Sequence, residues 1–358
     1  MTPIRPALAA AAVVATTSAA CSEDALHVLN WAGYIDPAMI ETFTAETGVA
    51  VQYDTYNDAE ATEAQLAAGG SGYDLVVISS EYLGRLTGRD ALAPFDLDAI
   101  PGRARLRSDL MERLSTLDPE GRFAVPYLWG TTGIGYDRAA VAERMPDAPV
   151  DSWAMVFDPD IVSRFADCGV GFVDTPEEVT ASALAYLGRD PNSTDPADLA
   201  AAIDAIEAVA PYVSRFDADA QESLAFGELC VALAWSGDVL EGADLQLEGI
   251  EIAYAVPREG APIWFDVMVL PADAARADTA HAFVEHLMRP EVIAQATEET
   301  WYPNPNAEAS ALIDPAFLAD PAIYPPEEAM RRLFAVRSRA PAQKAELGRA
   351  WRRLKLGL

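Results

Sequence analysis

Four short segments of the sequence place aromatic side chains beside polar or acidic ones, a combination that can hold a ligand. They are residues 30–34 (NWAGY), 235–238 (WSGD), 264–266 (WFD) and 301–302 (WY). Trp and Tyr rings provide flat apolar walls for a methylene chain, and a cation over a ring face gains about 0.5–2 kcal/mol. Carboxylates accept charge-assisted hydrogen bonds from ammonium groups. Together these residues predict a site for a linear diamine, although each aromatic taken singly is typical of a hydrophobic core.

The charge balance of the chain also favours a cationic ligand. Of 358 residues, 56 are acidic and 25 are basic, the net charge is -31, and lysine occurs only at Lys344 and Lys355. A buried acid needs a compensating cation, and with so few lysines that cation could come from outside the chain. The negative charge argues against nucleic acid and anionic lipid as partners. A solvated acidic surface that aids solubility is the alternative explanation of the net charge.

Motifs for cofactors, metals and catalysis are weak. Residues 130–135 (GTTGIG) lack the GxGxxG spacing and predict a strand that neighbouring residues approach closely. The three histidines and three cysteines lack the spacing of a metal site, so we predict no metal and no other cofactor. The adjacent acids Glu177 and Glu178 could serve a secreted hydrolase, which is the alternative of another class. Adjacency in sequence, however, does not give catalytic geometry.

The first twenty residues have the features of an export signal. A positive charge precedes an apolar run over residues 7–15 that is too short to span a bilayer. Ser18 and Ala20 are small residues that suit cleavage before Cys21. We therefore expect residues 1–20 to be a signal peptide and the mature protein to be exported. Cys21 would suit a lipid anchor, but Ser18 stands where lipoprotein signals usually carry Leu.

Strands and helices alternate along the first part of the mature chain. Residues 26–31, 49–53 and 73–79 have the composition of buried strands, and helical patterns lie between them. This alternation predicts βαβ units, a parallel sheet and an α/β fold. Ligands of such sheets bind at the carboxyl ends of the strands, where Trp31 and Ser79 stand.

Two extended runs with little helical periodicity, residues 123–136 and 252–270, interrupt the α/β pattern. We expect them to carry the chain from one lobe to another and back, which makes a hinge and a ligand cleft. The approximate boundaries are residues 26–131 with 265–305 for lobe 1, 136–252 with 306–358 for lobe 2, and 132–135 with 253–264 for the hinge.

The C-terminal part of the chain is predicted to be mainly helical. An amphipathic pattern over residues 280–297 predicts a helix whose buried side includes Phe283 and Leu287. Pro290 should split this helix in two. A last helical region is expected to run from residues 324–326 (YPP) to the C-terminus.

The cysteines raise the question of a disulfide. If Cys21 is lipidated or free, Cys168 and Cys230 remain, and in an oxidising compartment they could pair. In the chain-entropy model, a disulfide that closes so long a loop stabilises the folded protein by roughly 3–5 kcal/mol. Two buried free thiols are the alternative.

Several ordered segments of the chain resemble one protein family. They are residues 30–34, 73–79 (YDLVVIS), 168–194, 230–239 (CVALAWSGDV) and 323–326 (IYPP). Together they resemble the periplasmic putrescine- and spermidine-binding proteins of bacterial ABC importers. The resemblance extends over residues 26–358 and is strongest to the putrescine-specific branch.

The resemblance implies a two-lobed periplasmic solute-binding protein fold of type II, with the ligand between lobes joined by crossing strands. It implies that the protein captures putrescine and delivers it to the permease and ATPase of an importer, as a monomer and without catalysis. A spermidine-preferring or broad polyamine-binding protein is the alternative. It also implies a disulfide between Cys168 and Cys230.

The resemblance implies a set of ligand-binding residues and a set of departures from the family pattern. The aromatic walls would be Trp31, Tyr34, Trp235, Trp264 and Tyr302, and the polar groups Ser79, Glu178, Asp238 and Asp266. The departures, which bear on the length of the ligand, are Gly33, Glu81, Tyr82, Thr175 and Val336.

Overall fold

The computed structural model describes residues 25–217 and 220–356, so the predicted signal peptide and Cys21 lie outside the described residues. Its strands are β1 (Leu26–Trp31), β2 (Val51–Tyr56), β3 (Leu75–Ser79), β4 (Leu92–Ala93), β5 (Val125–Asp137), β6 (Val170–Phe172), β7 (Arg215–Phe216), β8 (Val231–Trp235), β9 (Ile252–Ala255), β10 (Pro262–Pro271) and β11 (Phe334–Ala335).

The α-helices of the same residues are α1 (Pro37–Thr47), α2 (Ala59–Ala68), α3 (Leu83–Thr87), α4 (Ser108–Leu114), α5 (Arg138–Arg144), α6 (Ala154–Phe157), α7 (Pro159–Val162), α8 (Pro176–Tyr186), α9 (Pro196–Val209), α10 (Ala220–Ala225), α11 (Ser236–Leu245), α12 (Ala277–Leu287), α13 (Pro290–Thr300), α14 (Pro315–Ala319), α15 (Glu327–Met330) and α16 (Pro341–Lys355). Within this set, no helix is both long enough and apolar enough to cross a membrane.

The first part of the sheet contains the parallel strands that the alternation of strands and helices predicts. β1 pairs in parallel with β2 and β3, and β10 lies antiparallel to β3. β2 spans Val51–Tyr56 rather than 49–53 because it stays paired with β1 along the whole of that strand. The end of a strand thus depends on its partner, which a local sequence pattern does not contain.

β5 joins the two parts of the sheet. Its first half pairs with β10, and from Thr132 onward it pairs with β8 and then β9. All 13 of its residues are buried. The close approach predicted for residues 130–135 is confirmed at Gly130, where a Cβ atom would lie 2.3 Å from the Trp264 ring. Only glycine therefore allows Trp264 to lie across β5.

The second part of the sheet consists of β8, β6 and β7 in parallel order, with β9 antiparallel to β5. The single extended run predicted over residues 252–270 is in fact two strands, β9 and β10. The chain turns between them, and the N–H of Gly260 donates to the carbonyl of Pro257 at 3.1 Å. Since β9 belongs to the second part and β10 to the first, the chain returns to the first part at this turn.

The C-terminal helices follow the prediction except at one point. Pro290 begins α13 and separates it from α12, and Phe283 and Leu287 are buried as predicted. After α15, however, the chain forms β11 before α16 begins. β3 pairs with β10 only from Asp266 onward, which leaves the start of β10 with an open edge that β11 occupies.

Cys168 and Cys230 form a disulfide, so the alternative of two free thiols is wrong. Cys168 precedes β6 and Cys230 precedes β8. The bond therefore ties the amino ends of two paired strands, at the end of the sheet opposite to Trp235.

Candidate functional site

The side chains predicted to bind a ligand lie where the two parts of the sheet meet. Trp31, Ser79 and Trp235 are the last residues of β1, β3 and β8. Asp266 of β10 lies opposite Ser79 in the antiparallel register. We call the space among these side chains the cleft. The residues around it are linked by the contacts described below. They are Trp31, Tyr34, Ser79, Glu178, Trp235, Asp238, Trp264, Asp266 and Tyr302.

Asp266 is one of the acidic groups of the cleft and is only 4% exposed. The indole Nε1 of Trp31 donates to its Oδ1 at 3.1 Å, and the hydroxyl of Tyr34 is a second hydrogen-bond partner. Burial, aided by the charges of Glu178 and Asp238, raises the pKa of Asp266 to about 7 against the effect of these two donors. A carboxylate held in this way gains strongly from a cation that displaces the proton.

Asp238 lies in the first turn of α11 and accepts a hydrogen bond from the Tyr302 hydroxyl at 2.6 Å. This contact requires Tyr302 to lie against the start of α11. A Cβ atom on Gly237 would be 2.5 Å from the Tyr302 ring, so glycine at this position allows the approach. Tyr302 itself is buried, and the nearby negative charge of Asp238 helps burial to raise its pKa.

Glu178 enters the cleft from the first turn of α8 and is 6% exposed. Its Oε2 accepts hydrogen bonds from the Thr132 hydroxyl at 2.5 Å and from the Trp235 indole at 3.1 Å. Burial raises its pKa to about 7, because these two donors do not fully compensate for the loss of water. Glu178 is therefore a second anionic pole of the cleft.

The aromatic side chains of the cleft pack on one another and form its walls. Trp31 lies 4.4 Å from Tyr56, ring centre to ring centre, and Tyr34 lies 5.9 Å from Tyr302. Trp264 meets Tyr302 edge-on at 4.8 Å. Such a wall offers ring faces both to methylene groups and to cations.

Two of the residues that shape the cleft were missed by the sequence analysis. Tyr56 packs against Trp31 with a tilt of 35° between the rings, and its hydroxyl donates to the carbonyl of Val77 at 2.8 Å, which fixes the ring. Thr132 holds Glu178. Thr132 is not aromatic and has no acid beside it, so the aromatic-and-acid pattern could not find it; Tyr56 was not singled out, although Asp54 and Asp58 each lie two residues away. Thr132 does fall within the glycine-rich run 130–135, which marked a strand under close approach.

The five departures from the family pattern occupy different environments. Glu81 and Val336 line a small cavity that Ser79, Glu178 and Trp264 also line, whereas Gly33, Tyr82 and Thr175 do not line it. Gly33 is exposed in the turn after β1, with a φ of 74°. Tyr82 is buried, with the guanidinium of Arg85 4.7 Å from its ring centre. The Thr175 hydroxyl is buried just before α8.

Three carboxylates at the cleft, those of Glu81, Glu178 and Asp266, have no basic partner in the described part of the chain. Over residues 25–217 and 220–356, no Lys, Arg or His nitrogen lies within 4 Å of the carboxylate oxygens of Glu81, Glu178 or Asp266. The same ranges contain no group of three His, Cys, Asp or Glu placed to hold a metal ion. Because ionised carboxylates only accept hydrogen bonds, the cleft is suited to a ligand with several N–H donors and positive charge.

Comparisons with known proteins place the chain in a family. The model of the bacterial extracellular solute-binding protein family matches residues 38–325. The putrescine-binding periplasmic protein SpuD of Pseudomonas aeruginosa is 39% identical over 98% of this chain and 97% of its own length. The corresponding protein PotF of Escherichia coli is 37% identical over 96% of this chain and 95% of its own.

The solved structures give the same result for the fold. The spermidine/putrescine ABC transporter substrate-binding protein PotD of Streptococcus pneumoniae superimposes with a TM-score of 0.79 at 27% identity, over 93% of this chain and 99% of that one. The predicted two-lobed α/β fold is thus confirmed. With a cleft at the carboxyl ends of its strands, a matching family model and relatives aligned over almost their whole length, the chain belongs to the bacterial extracellular solute-binding proteins.

Proposed function

We propose that this protein is the periplasmic binding component of an ABC polyamine importer and that it captures putrescine in the cleft. The observation that carries the proposal is a set of three carboxylates among aromatic rings: Glu178 and Asp266, which are buried, and Asp238, which is half-buried. Within the described residues, Glu178 and Asp266 have no basic partner. A diamine dication supplies the missing charge at both ends and a methylene chain between. The names of the relatives SpuD and PotF support the choice of ligand.

Each residue of the cleft has a part in this proposal. Trp31 and Trp235 enclose the methylene chain, while Tyr34, Trp264 and Tyr302 complete the wall. Asp238 and Asp266 hold one ammonium, and Glu178 holds the other. Ser79, which lies opposite Asp266 on the neighbouring strand, contributes a hydroxyl.

We further propose that two lobes close on the ligand about a hinge formed by residues 132–135 and 253–264. Lobe 1 would contain residues 26–131 and 265–305, and lobe 2 residues 136–252 and 306–358. Ala309 and Ile313 pack in one hydrophobic cluster with Phe43 and Phe283, which favours moving the segment around them into lobe 1. The ligand would favour the closed state because only that state brings the carboxylates of both lobes to it.

The closed protein would then dock as a monomer on a membrane permease with its ATPase, and no bond of the ligand would be broken. The hydrolase alternative is not favoured by the contacts of its two acids. Glu177 faces Lys344 at 3.9 Å, whereas Glu178 is bonded to Thr132 and Trp235. The adjacent carboxylates therefore have separate environments instead of a shared reaction site.

Calorimetric titration of residues 22–358, unfolded and refolded to remove carried ligand, tests the proposal. We expect putrescine to bind with a Kd of about 1 µM or tighter, equivalent to about -8 kcal/mol, and cadaverine and spermidine to bind more weakly. If none of the three amines gives a heat of binding, the assignment of a polyamine as the ligand would be contradicted.

Putrescine binding should weaken as the pH falls from 8 to 6. With the pKa of both Asp266 and Glu178 raised to about 7 by burial, the two groups are mainly ionised at pH 8 and mainly protonated at pH 6. An alkyl ammonium, with a pKa near about 10, keeps its proton throughout. We expect Kd to rise on the order of 10- to 100-fold over this range, measured by calorimetry; a constant Kd would contradict the role of these carboxylates.

The stability of the ligand-free protein provides the control, since it should change in the opposite direction. The folded-state pKa of these two groups, about 7, is above the ordinary value near about 4. The stabilisation they contribute is therefore complete below the ordinary value and is lost as the pH rises through 7. The Tm of the free protein should rise from pH 8 to 6 while affinity falls, which excludes acid unfolding as the cause.

Lys344 should help to hold the closed state. Its Nζ lies 3.0 Å from Glu60 of lobe 1 and 3.9 Å from Glu177 of lobe 2. Since ion pairs this exposed contribute about 0.2–1 kcal/mol, we expect Lys344→Gln to weaken putrescine binding by up to about 5-fold, with faster release in stopped-flow measurements. Lys355→Gln is the matched control, because Lys355 pairs with Asp174 of lobe 2 alone. Equal effects of both substitutions would contradict this role.

A further inference from the structure

A larger pocket lies outside the cleft, beside α11. Its free volume is about 350 Å³, which is within the range of roughly 300–1,000 Å³ that is typical of small-molecule sites. We call it the α11 pocket. Leu240 and Ala243 of α11 form part of its apolar lining, and Tyr254 and Trp301 are its aromatic residues. None of its lining residues belongs to the cleft, so a ligand bound here would leave the proposed putrescine positions free.

Three charged side chains line the α11 pocket. They are Arg138, which directly follows β5, Asp244 of α11, and Asp320. Over residues 25–217 and 220–356, no carboxylate lies within 4 Å of the Arg138 guanidinium, and no basic nitrogen lies within 4 Å of either aspartate. The Oδ1 of Asp320 accepts a hydrogen bond from the N–H of Ala322 at 2.8 Å, which fixes this carboxylate in the pocket wall.

This arrangement of charges discriminates among classes of ligand. A purely cationic ligand would be repelled by Arg138, and a purely anionic one by Asp244 and Asp320. A zwitterion with separated charges meets a partner at each end. A guanidinium can donate two parallel hydrogen bonds to one carboxylate, and an aspartate accepts charge-assisted hydrogen bonds from an ammonium.

Trp301 has a backbone conformation that is typical of functional positions. It follows the last residue of α13 with a φ of 59°, in the left-handed region that glycine usually occupies at the end of a helix. A bulky residue there is uncommon, and such conformations concentrate at ligand sites. The Trp301 ring stacks on Phe317 at 4.6 Å and lines the α11 pocket, whereas the next residue, Tyr302, lies in the cleft.

Two structural connections link the α11 pocket to the cleft. The helix α11 carries Asp238 of the cleft in its first turn and Asp244 of the pocket in its last turn. On the other side of the pocket, the Tyr254 hydroxyl donates to the carbonyl of Thr131 at 2.9 Å. The residue after Thr131 holds Glu178 through its hydroxyl. Side chains of both sites therefore lie on the same elements.

The α11 pocket also spans the two proposed lobes. Trp301 belongs to lobe 1, whereas Arg138 and α11 belong to lobe 2. In the same arrangement of the lobes, Tyr302 of lobe 1 donates to Asp238 of lobe 2 at 2.6 Å. A ligand that contacts both Trp301 and Arg138 would stabilise this arrangement, in which the cleft residues of the two lobes are together.

We propose that the α11 pocket is a second ligand site, which binds a zwitterion with separated carboxylate and ammonium groups and thereby strengthens putrescine binding in the cleft. The carboxylate pairs with Arg138, the ammonium with Asp244 and Asp320, and the chain between them packs on Trp301. The coupling between the two sites rests on the proposed function, whereas the zwitterion site itself does not.

Calorimetric titration of the refolded chain with three unbranched ω-amino acids tests the site. The probes are 4-aminobutyrate, 6-aminohexanoate and 8-aminooctanoate, which differ only in the distance between their charges. We expect at least one of them to bind with a Kd of about 1 mM or tighter. With putrescine in the cleft, the alkyl carboxylate and the alkylamine of the same length should each bind at least about 10-fold more weakly, because each lacks one charged partner.

The coupling is measured by repeating the putrescine titration in the presence of the amino acid that binds most tightly. At saturation the Kd of putrescine should fall about 5-fold, and the amino acid should gain the same factor from putrescine. A rise in the Kd of putrescine would mean that the amino acid competes for the cleft, and an unchanged Kd would mean that the sites are independent. Either result would overturn the coupling.

Arg138→Gln is the variant that tests the pocket. It should weaken binding of the amino acid at least about 10-fold. The Kd of putrescine alone should stay within about 2-fold, because Arg138 is exposed and outside the cleft. Arg164→Gln is the matched control, since Arg164 is also exposed and has no ion pair in the described part of the chain, but does not line the pocket.

The outcomes separate this inference from the proposed function. If none of the three amino acids binds, or if Arg138→Gln binds them as tightly as the original chain does, the second site is overturned and putrescine binding is unaffected. If the original chain binds an amino acid through Arg138 but does not bind putrescine, the proposed function is overturned and the second site stands.

Discussion

Replacing both Asp238 and Asp266 by Asn is expected to abolish putrescine binding, with a loss of at least about 100-fold in affinity. Each substitution removes a carboxylate that a bound ammonium would use, and a hydrogen bond to a charged group contributes about 1.5–3 kcal/mol. The amide also presents N–H donors toward the ammonium, which adds repulsion. Calorimetry at pH 8, where the carboxyl groups of the original protein are ionised, measures the effect.

The same double variant should fold at least as stably as the original protein. Asp266 is buried beside two other acids, and an amide of equal size relieves that repulsion while it still accepts the Trp31 N–H. An unchanged or higher Tm of the free variant would separate lost binding from lost structure. Asp147→Asn, at an exposed position between α5 and α6, is the control and should leave affinity unchanged. Retention of putrescine affinity by the double variant would contradict the site assignment.

Replacing Cys168 and Cys230 by Ala should have the largest effect on stability. The disulfide closes a loop with a sequence separation of 62, for which chain entropy gives about 4 kcal/mol. Thermal unfolding should show a decrease in Tm of roughly 5–15 °C. Treatment of the original protein with a reductant should reproduce most of this decrease and leave the variant unaffected.

The same variant should keep its affinity for putrescine within about 3-fold. The disulfide joins the amino ends of β6 and β8, whereas Trp235 and the start of α8 lie at the other end of these strands. A large loss of affinity without a loss of stability would mean that the bond positions Glu178 directly. An unchanged Tm would contradict the entropic argument.

The elements that carry the site could be predicted where local patterns determine them. Trp31 and Ser79 end buried strands, and in a parallel sheet the carboxyl ends of neighbouring strands lie together. Pro290 separates two helices because its ring cannot continue the first. These predictions used only residues close together in the sequence, and the structure confirms them.

The contacts between distant segments could not be predicted in this way. Thr132 contacts Glu178 because β5 crosses both parts of the sheet. Tyr56 contacts Trp31 because β2 pairs with β1 along its full length. Such contacts follow from the register of the strands, and that register is determined by hydrogen bonds across the whole sheet. Glu178 was assigned to the ligand by resemblance to a family, since the local sequence marks it only as one of two adjacent acids.

The two lysines of the chain have a practical consequence for experiments on the protein. Both lie on α16, Lys344 near its start and Lys355 at its end. Apart from the amino terminus, an amine-reactive dye or surface linker can therefore attach only to this one helix. The side chain of Lys355 is the more exposed of the two, at 37% against 30% for Lys344, and it contacts Asp174, whereas Lys344 contacts Glu60. In a Lys344→Gln variant, coupling to lysine would therefore attach the molecules to a surface through Lys355 alone.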